Sequence, residues 1–187
     1  MSALLLEIPN LHLTKISLED YALLCRENPL HYEKTELLEG VIIDKRTKSS
    51  EHDFYSQVFF DAIQGILPEN FFIRSEKGIL FSDSELEPDI SVVKGKIQDY
   101  RNTKPTTARL VIEIAVSSLS YDREKGKAYA KGFVEEYWIV DVSGKCVEVY
   151  TRPDSTSYSQ KKIFAANEDV PLFGKTISLK QIFSESN

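Results

Sequence analysis

The 187-residue sequence has only two cysteines. Cys25 and Cys146 lie far apart, with no Cys-x-x-Cys pair and no Cys/His ligand spacing. That excludes a disulfide scaffold, argues against structural zinc, and reads as reduced thiols of a cytoplasmic protein. No stretch approaches the roughly 18 apolar residues of a membrane span. The opening Met1-Ser-Ala-Leu-Leu-Leu-Glu7 has no basic region and a very short apolar run, so no secretory leader is expected. Internal repeats, low-complexity tracts, linkers and base-reading motifs are also missing. What is present, 42% hydrophobic and 28% charged residues, excludes disorder and fits one domain over 1–187 that buries its core unaided.

Charge is unevenly spread. The net of −6 disfavours non-specific attraction to a polyanion. From Lys94 to Lys131, however, nine Lys/Arg face four Asp/Glu, a local +5 that leaves −11 for the rest. That span is suited to an anion.

Ser17 reads as the cap of a short helix that Pro29 ends. Lys34 to Glu39 and Val41 to Asp44 read as strands around a glycine turn. Ser49 or Ser50 caps a long helix from Glu51 to about Leu67, with Tyr55, Phe59, Ile63 and Ile66 at helical spacing. Short β-rich runs follow at Phe71–Arg74, Gly78–Phe81 and Asp89–Val93. Gly95 to Thr107 forms a long polar loop of the kind kept for function or subunit contact. Ala108 to Val116 is an almost unbroken apolar strand, covered on both faces. Asp122 to Lys131 suits a helix, Glu136 to Asp141 a buried strand, and Cys146 to Tyr150 a strand after a hairpin turn. The tail adds two edge strands and a helical turn near Leu179 to Phe183.

Glu113 sits inside that apolar strand, where an ionised carboxylate costs several kcal/mol unless paired or bound to a cation. By alternation it shares a face with Arg109, Val111 and Ala115. A metal resolves the cost; so does an ion pair with Arg109 or another buried base. Asp89, after Pro88, shares its face with Ser91 and Val93; alone it reads as a turn residue. Paired with an acid in a central strand 24 residues on, it makes a couple able to chelate one hard cation such as Mg²⁺. His52 points inward from the long helix, either as a satisfied core histidine or as a mostly neutral ligand or proton relay near the helix N-terminus. Asp122 reads as a helix cap. Glu36 and Glu39 are out of phase on their strand, so at most one faces a given side. His12, His31, Asp141 and Trp138 read as structural.

Several segments match one family in order: Glu36-Leu-Leu-Glu-Gly40, Ser50-Glu-His52, Pro88-Asp-Ile-Ser-Val-Val93, Val111-Ile-Glu-Ile-Ala115, Ser117-Ser-Leu-Ser-Tyr-Asp122, and Lys125 to Tyr129 leading into Glu136-Tyr-Trp-Ile-Val-Asp141. Over residues 15 to 150 the chain resembles the bacterial putative restriction endonuclease family, a branch of the PD-(D/E)XK superfamily. The resemblance implies an α/β fold with a restriction-endonuclease-like core, a mixed β-sheet flanked by helices with an added β-hairpin. It also implies a divalent metal, Mg²⁺ or Mn²⁺, at Asp89 and Glu113, and phosphodiester hydrolysis as the ancestral chemistry. The superfamily's lysine two residues after the acid is absent, since Ala115 stands there. In this branch a lysine of the following helix takes over; Lys125 fits better than Lys127, and the choice between them stays open.

Two functions compete on these residues. One is a Mg²⁺-dependent nuclease with catalytic candidates Asp89, Glu113, Lys125, Lys127 and His52, meeting nucleic acid, DNA first, through Lys94 to Lys131. The other is a non-catalytic descendant in which the fold serves binding or assembly. A homodimer through the Gly95 to Thr107 loop would suit cutting both strands of a duplex.

Overall fold

The computed structural model describes residues 14–184; His12 and the opening segment lie outside them. Ser17 and Asp20 form a capping box that starts α1 (Leu18–Glu27), and Pro29 opens the one-turn α2 (Pro29–Tyr32). The strands β1 (Thr35–Leu38) and β2 (Val41–Asp44) pair as an antiparallel hairpin. Its turn needs two left-handed residues, Glu39 at φ 50° and Gly40 at φ 77°, whose twist matches that of the strands. A side chain at Gly40 would place Cβ 2.7 Å from Lys15 Cβ.

Ser49 accepts the His52 N–H and starts α3 (Ser50–Gln64). The helix ends at Gly65, short of the expected Leu67. The strands β3 (Phe71–Ser75), β4 (Ile79–Leu80), β5 (Glu85–Leu86), β6 (Ile90–Lys94) and β7 (Leu110–Ala115) follow. A short 3₁₀ turn, Ile97–Tyr100, breaks the long loop before β7. Next come α4 (Leu119–Lys131), β8 (Glu136–Asp141), β9 (Cys146–Pro153), β10 (Tyr158–Ala165), β11 (Asp169–Leu172), β12 (Lys175–Ser178) and α5 (Leu179–Ser184).

The main sheet has the order β10-β9-β8-β7-β6-β3, parallel only at β7 and β8. A small sheet runs β2-β1-β5-β4. The tail departs from expectation: β10 is the edge of the main sheet, while β11 and β12 pair as a separate two-stranded sheet.

Side-chain alternation splits the core. Ile112 and Ile114 of β7 face Phe59 and Ile63 of α3 together with Leu179 and Ile182 of α5. Val111 and Ala115 face Ala128 and Tyr129 of α4, with Ile79 and Leu86 of the small sheet. Glu113 belongs to this second face by period two. Parallel pairing of β7 and β8 requires a crossover, and α4 is that crossover. It therefore lies over the face that carries Glu113.

Candidate active site

The antiparallel register of β6 and β7 pairs Ile90 with Ile112 and Ser91 with Val111. One step further sets Asp89 beside Glu113, so the two acids are cross-strand neighbours at the end of the pairing. Asp89 Oδ2 accepts the Ile114 N–H at 2.7 Å and lies 3.0 Å from His52 Nε2. Its Oδ1 accepts from Lys48 Nζ at 2.7 Å, and the same ammonium reaches Glu76 at 2.8 Å.

On α4, Lys125 and Tyr129 are four residues apart and share a helix face. Both meet Glu113 Oε1, Lys125 Nζ at 3.0 Å and the Tyr129 hydroxyl at 2.6 Å. Lys125 Nζ also lies 2.9 Å from Glu36 Oε2, while Glu36 Oε1 accepts the Glu87 N–H at 2.6 Å. Asp122, one turn before Lys125, is buried and accepts from the Ser118 hydroxyl.

These groups line a cleft of about 610 Å³. Ten described polar or charged residues are buried, and six of them, Glu36, His52, Asp89, Glu113, Asp122 and Lys125, line it. Buried charge is costly to hold, and its concentration in one cleft makes the cleft the candidate site. Burial, set against Lys125 and reinforced by Asp89, Asp122 and Glu36, pushes Glu113 up to about 8. Burial likewise raises Asp122 to about 6. For Asp89 burial works the other way from its partners, and the His52 hydrogen bond and the Lys48 charge hold it down at about 2. Burial opposes the charge on Lys125, but Glu113 and Glu36 keep it firmly protonated.

Glu36 and Glu113 thus meet the one buried ammonium of the described residues, with Asp89 and Asp122 in the same cleft, a cluster of acids that fits a cation once Glu113 gives up its proton. Among the described residues no three His, Cys, Asp or Glu side chains stand together as a preformed metal cage. A two-carboxylate site matches Mg²⁺, which keeps several waters and takes its other ligands from substrate phosphate. Asp89 and Glu113 would be its ligands.

A model of the Uma2 family, described as putative restriction endonuclease, matches residues 18–180. The chain belongs to that family. Among solved structures it is similar to a putative nuclease belonging to DUF820 from Anabaena variabilis ATCC 29413, with a TM-score of 0.68 and 23% identity. The match covers 80% of this chain and 89% of that one. No curated protein matches.

Against this Uma2 frame, the geometry separates the sequence-derived candidates. It brings together Asp89, Glu113, Lys125 and His52. Lys127 stays outside: its side chain is 59% exposed and pairs with Glu124 at 2.7 Å. Arg109 is not the partner of Glu113, because it pairs with Glu136 at 2.6 Å. Asp122 is no cap: α4 begins at Leu119, and the Asp122 N–H already bonds the Ser118 carbonyl. For His52, burial disfavours the charged form, yet the bond to Asp89 outweighs it and raises the imidazole above its ordinary value, against the expected neutral state. Its Nδ1 makes no hydrogen bond, lying 3.5 Å from Asp53 Oδ1.

Sequence reasoning passed over the loop Lys45-Arg-Thr-Lys48, whose dense charge between a hairpin and a helix cap was its signal. It also left Glu36 undecided, whereas Glu39 sits in the turn and pairs with Lys131. The positive span from Lys94 to Lys131 is largely answered by acids elsewhere: Lys104 by Glu85, Arg109 by Glu136, Arg123 by Glu148, Lys125 by Glu36 and Lys131 by Glu39. Among the described residues no helix is long and apolar enough to cross a membrane.

Proposed function

We propose that this chain is a divalent-metal-dependent nuclease that hydrolyses phosphodiester bonds of DNA, with Asp89 and Glu113 as metal ligands and Lys125 as the transition-state cation. The observation that carries the reading is the convergence of those three side chains in one cleft, with Lys125 Nζ 3.0 Å from Glu113. Mg²⁺ or Mn²⁺, when bound, supplies an activated water and polarises the phosphate.

The chain's own residues do the rest. The Ile114 N–H and His52 fix the Asp89 carboxylate, and Tyr129 fixes Glu113. Glu36, itself held by the Glu87 N–H, steers the Lys125 ammonium. Because Lys125 keeps its proton, it presents a positive donor to the negative charge that develops on the phosphate. The small Ala115 leaves room for that longer reach from α4. The reading extends to a homodimer through the Gly95 to Thr107 loop, where Ile97 is 69% exposed; a monomer at every concentration in sizing chromatography would remove that extension.

The test is cleavage of DNA and RNA substrates by purified protein with Mg²⁺ or Mn²⁺. Cleavage is expected with wild type, absent in Glu113→Ala and Asp89→Asn, and lowered about 10²–10³-fold in Lys125→Ala, the scale of one lost transition-state donor. Equal activity in Glu113→Ala would sink the proposal.

A further inference from the structure

Five cations line the cleft: Lys34, Lys45, Arg46, Lys48 and Lys125. Three are neutralised in place, Lys45 by Glu87, Lys48 by Asp89 and Glu76, and Lys125 by Glu36 and Glu113. Among the described residues, Lys34 and Arg46 have no carboxylate within ion-pair distance, although the charge of Arg46 is felt by Asp122, and Arg46 is the one of the two held in position. Its Nη1 donates to the Ser117 carbonyl at 3.3 Å, and its guanidinium lies over the Tyr121 ring, 5.3 Å from the centre. That contact is a cation–π pair. Arg46 thereby bridges the loop before α3 and the loop before α4, across the entrance.

The same ring fixes its distance from the chemistry. Lys125 Nζ is also 5.3 Å from the Tyr121 centre. The two cations are therefore at most about 11 Å apart, within reach of neighbouring phosphates of one strand, which rise about 3.4 Å per step along the helix axis and lie farther apart than that through space. A guanidinium has five donors in a planar fork suited to phosphate. One donor here is used on Ser117, and among the described residues the guanidinium makes no other hydrogen bond.

We infer that Arg46, braced by Tyr121, binds a backbone phosphate beside the one at Lys125, so that the cleft grips a nucleic-acid strand at no fewer than two neighbouring phosphates. This rests on the nuclease reading and adds the residue that registers the strand. It assigns the contact to the Lys45-Arg-Thr-Lys48 loop rather than to the largely paired Lys94 to Lys131 span.

The test is binding of fluorescent duplex DNA, single-stranded DNA and RNA, with Ca²⁺ in place of Mg²⁺ under conditions where no strand is cut, over a series of salt concentrations. Arg46 is exposed, so its variants fold as wild type does. Arg46→Ala is expected to weaken binding about tenfold and to lower the slope of log K against log salt by about 0.9 on duplex or about 0.7 on single strands, the loss of one phosphate contact. Arg46→Lys keeps the slope and loses part of the affinity, because an ammonium cannot form the fork. Lys162→Ala, on the outer strand β10, changes neither. Wild-type binding that Arg46→Ala leaves within twofold, with the same slope, overturns this inference alone, as does an equal loss in Lys162→Ala. Wild type that binds none of the three nucleic acids overturns the nuclease reading along with it.

Discussion

Replacing Lys125 by methionine keeps the length of its stem and removes the only buried ammonium of the described residues, the partner of buried Glu36 and Glu113. Breaking a buried ion pair from one side costs about 3–5 kcal/mol, because the partner is left charged and unpaired. Here the partners have an escape, since a buried carboxylate can take up a proton. At pH 7 that costs about 4 kcal/mol for a glutamate with an ordinary value near 4.3, and at pH 5 only about 1 kcal/mol. Burial already pushes Glu113 up to about 8, so much of its cost is present in the wild type. The new cost falls on Glu36, which is left buried without its ammonium partner. The expected loss is therefore about 4 kcal/mol at pH 7, shrinking to about 1 kcal/mol at pH 5.

The sign follows from proton counting. In the variant the folded chain binds more protons than the unfolded one above the ordinary glutamate value, so its stability falls as pH rises through that window. Against a typical total of about 5–15 kcal/mol the variant still folds at pH 5. The assay is urea unfolding followed by the fluorescence of Trp138, the single tryptophan, which is fully buried. Adding Glu36→Gln to Lys125→Met should restore more than half of the loss at pH 7. A loss under about 1 kcal/mol at pH 7, or one that does not change between pH 5 and 7, refutes the argument that the ammonium is what permits these acids to stay buried.

Three further outcomes follow from the same geometry. As the proposed Mg²⁺ ligand, Glu113, pushed up to about 8, must release its proton, so Mg²⁺ affinity measured by titration calorimetry should rise about tenfold per pH unit between about pH 6 and 8; a flat profile contradicts this. Outside the cleft, burial opposes ionisation of Glu148, but Arg123, Tyr150 and Lys161 together hold it down at about 2. Its contribution is present above the ordinary glutamate value and is lost as pH falls towards 2. Arg123 and Lys161 are 46% and 37% exposed, so after solvent screening Glu148→Gln should cost about 1–2 kcal/mol at pH 7 and almost nothing near pH 2 in thermal unfolding. His52→Gln should cost about 1 kcal/mol at acid pH, where the raised imidazole is fully charged against Asp89. That difference should fade as pH climbs above the elevated His52 value, and a difference that grows with pH would contradict the assignment.

Much of the site was legible in one dimension because burial leaves a pattern there. An acid at position 113 inside an unbroken apolar strand has few explanations, and alternation put it on the face that α4 covers. Lys125, four residues before Tyr129, fitted better than Lys127 in the sequence, but the choice stayed open there; the two lysines part only in the fold, where Lys125 is buried with Tyr129 and Lys127 is exposed. Glu36 could not be resolved that way. A four-residue strand reveals which residues share a face but not what crosses above it, and the ammonium that meets Glu36 is 89 positions away. Charge was the least legible property: the +5 of residues 94–131 is a sum along the chain, while Coulomb energy depends on distance in space. Acids from β1, β5, β8 and β9 answer it.

A lysine carried on the strand would be pinned by the hydrogen-bond ladder, its reach set by one bond length after another. Moved to α4, it is aimed by how a whole helix seats on the sheet. That seat depends on two contacts away from the ammonium itself: a methyl group at Gly126 would press on the Tyr137 ring at 3.3 Å, and one at Gly132 would overlap the Phe81 ring at 1.9 Å. Small changes of volume at these positions would tilt or lift the helix and swing the amine with it, like a pointer adjusted at its pivot. In this arrangement the aim of the ammonium becomes a property of core packing, open to tuning by substitutions that touch neither Asp89 nor Glu113.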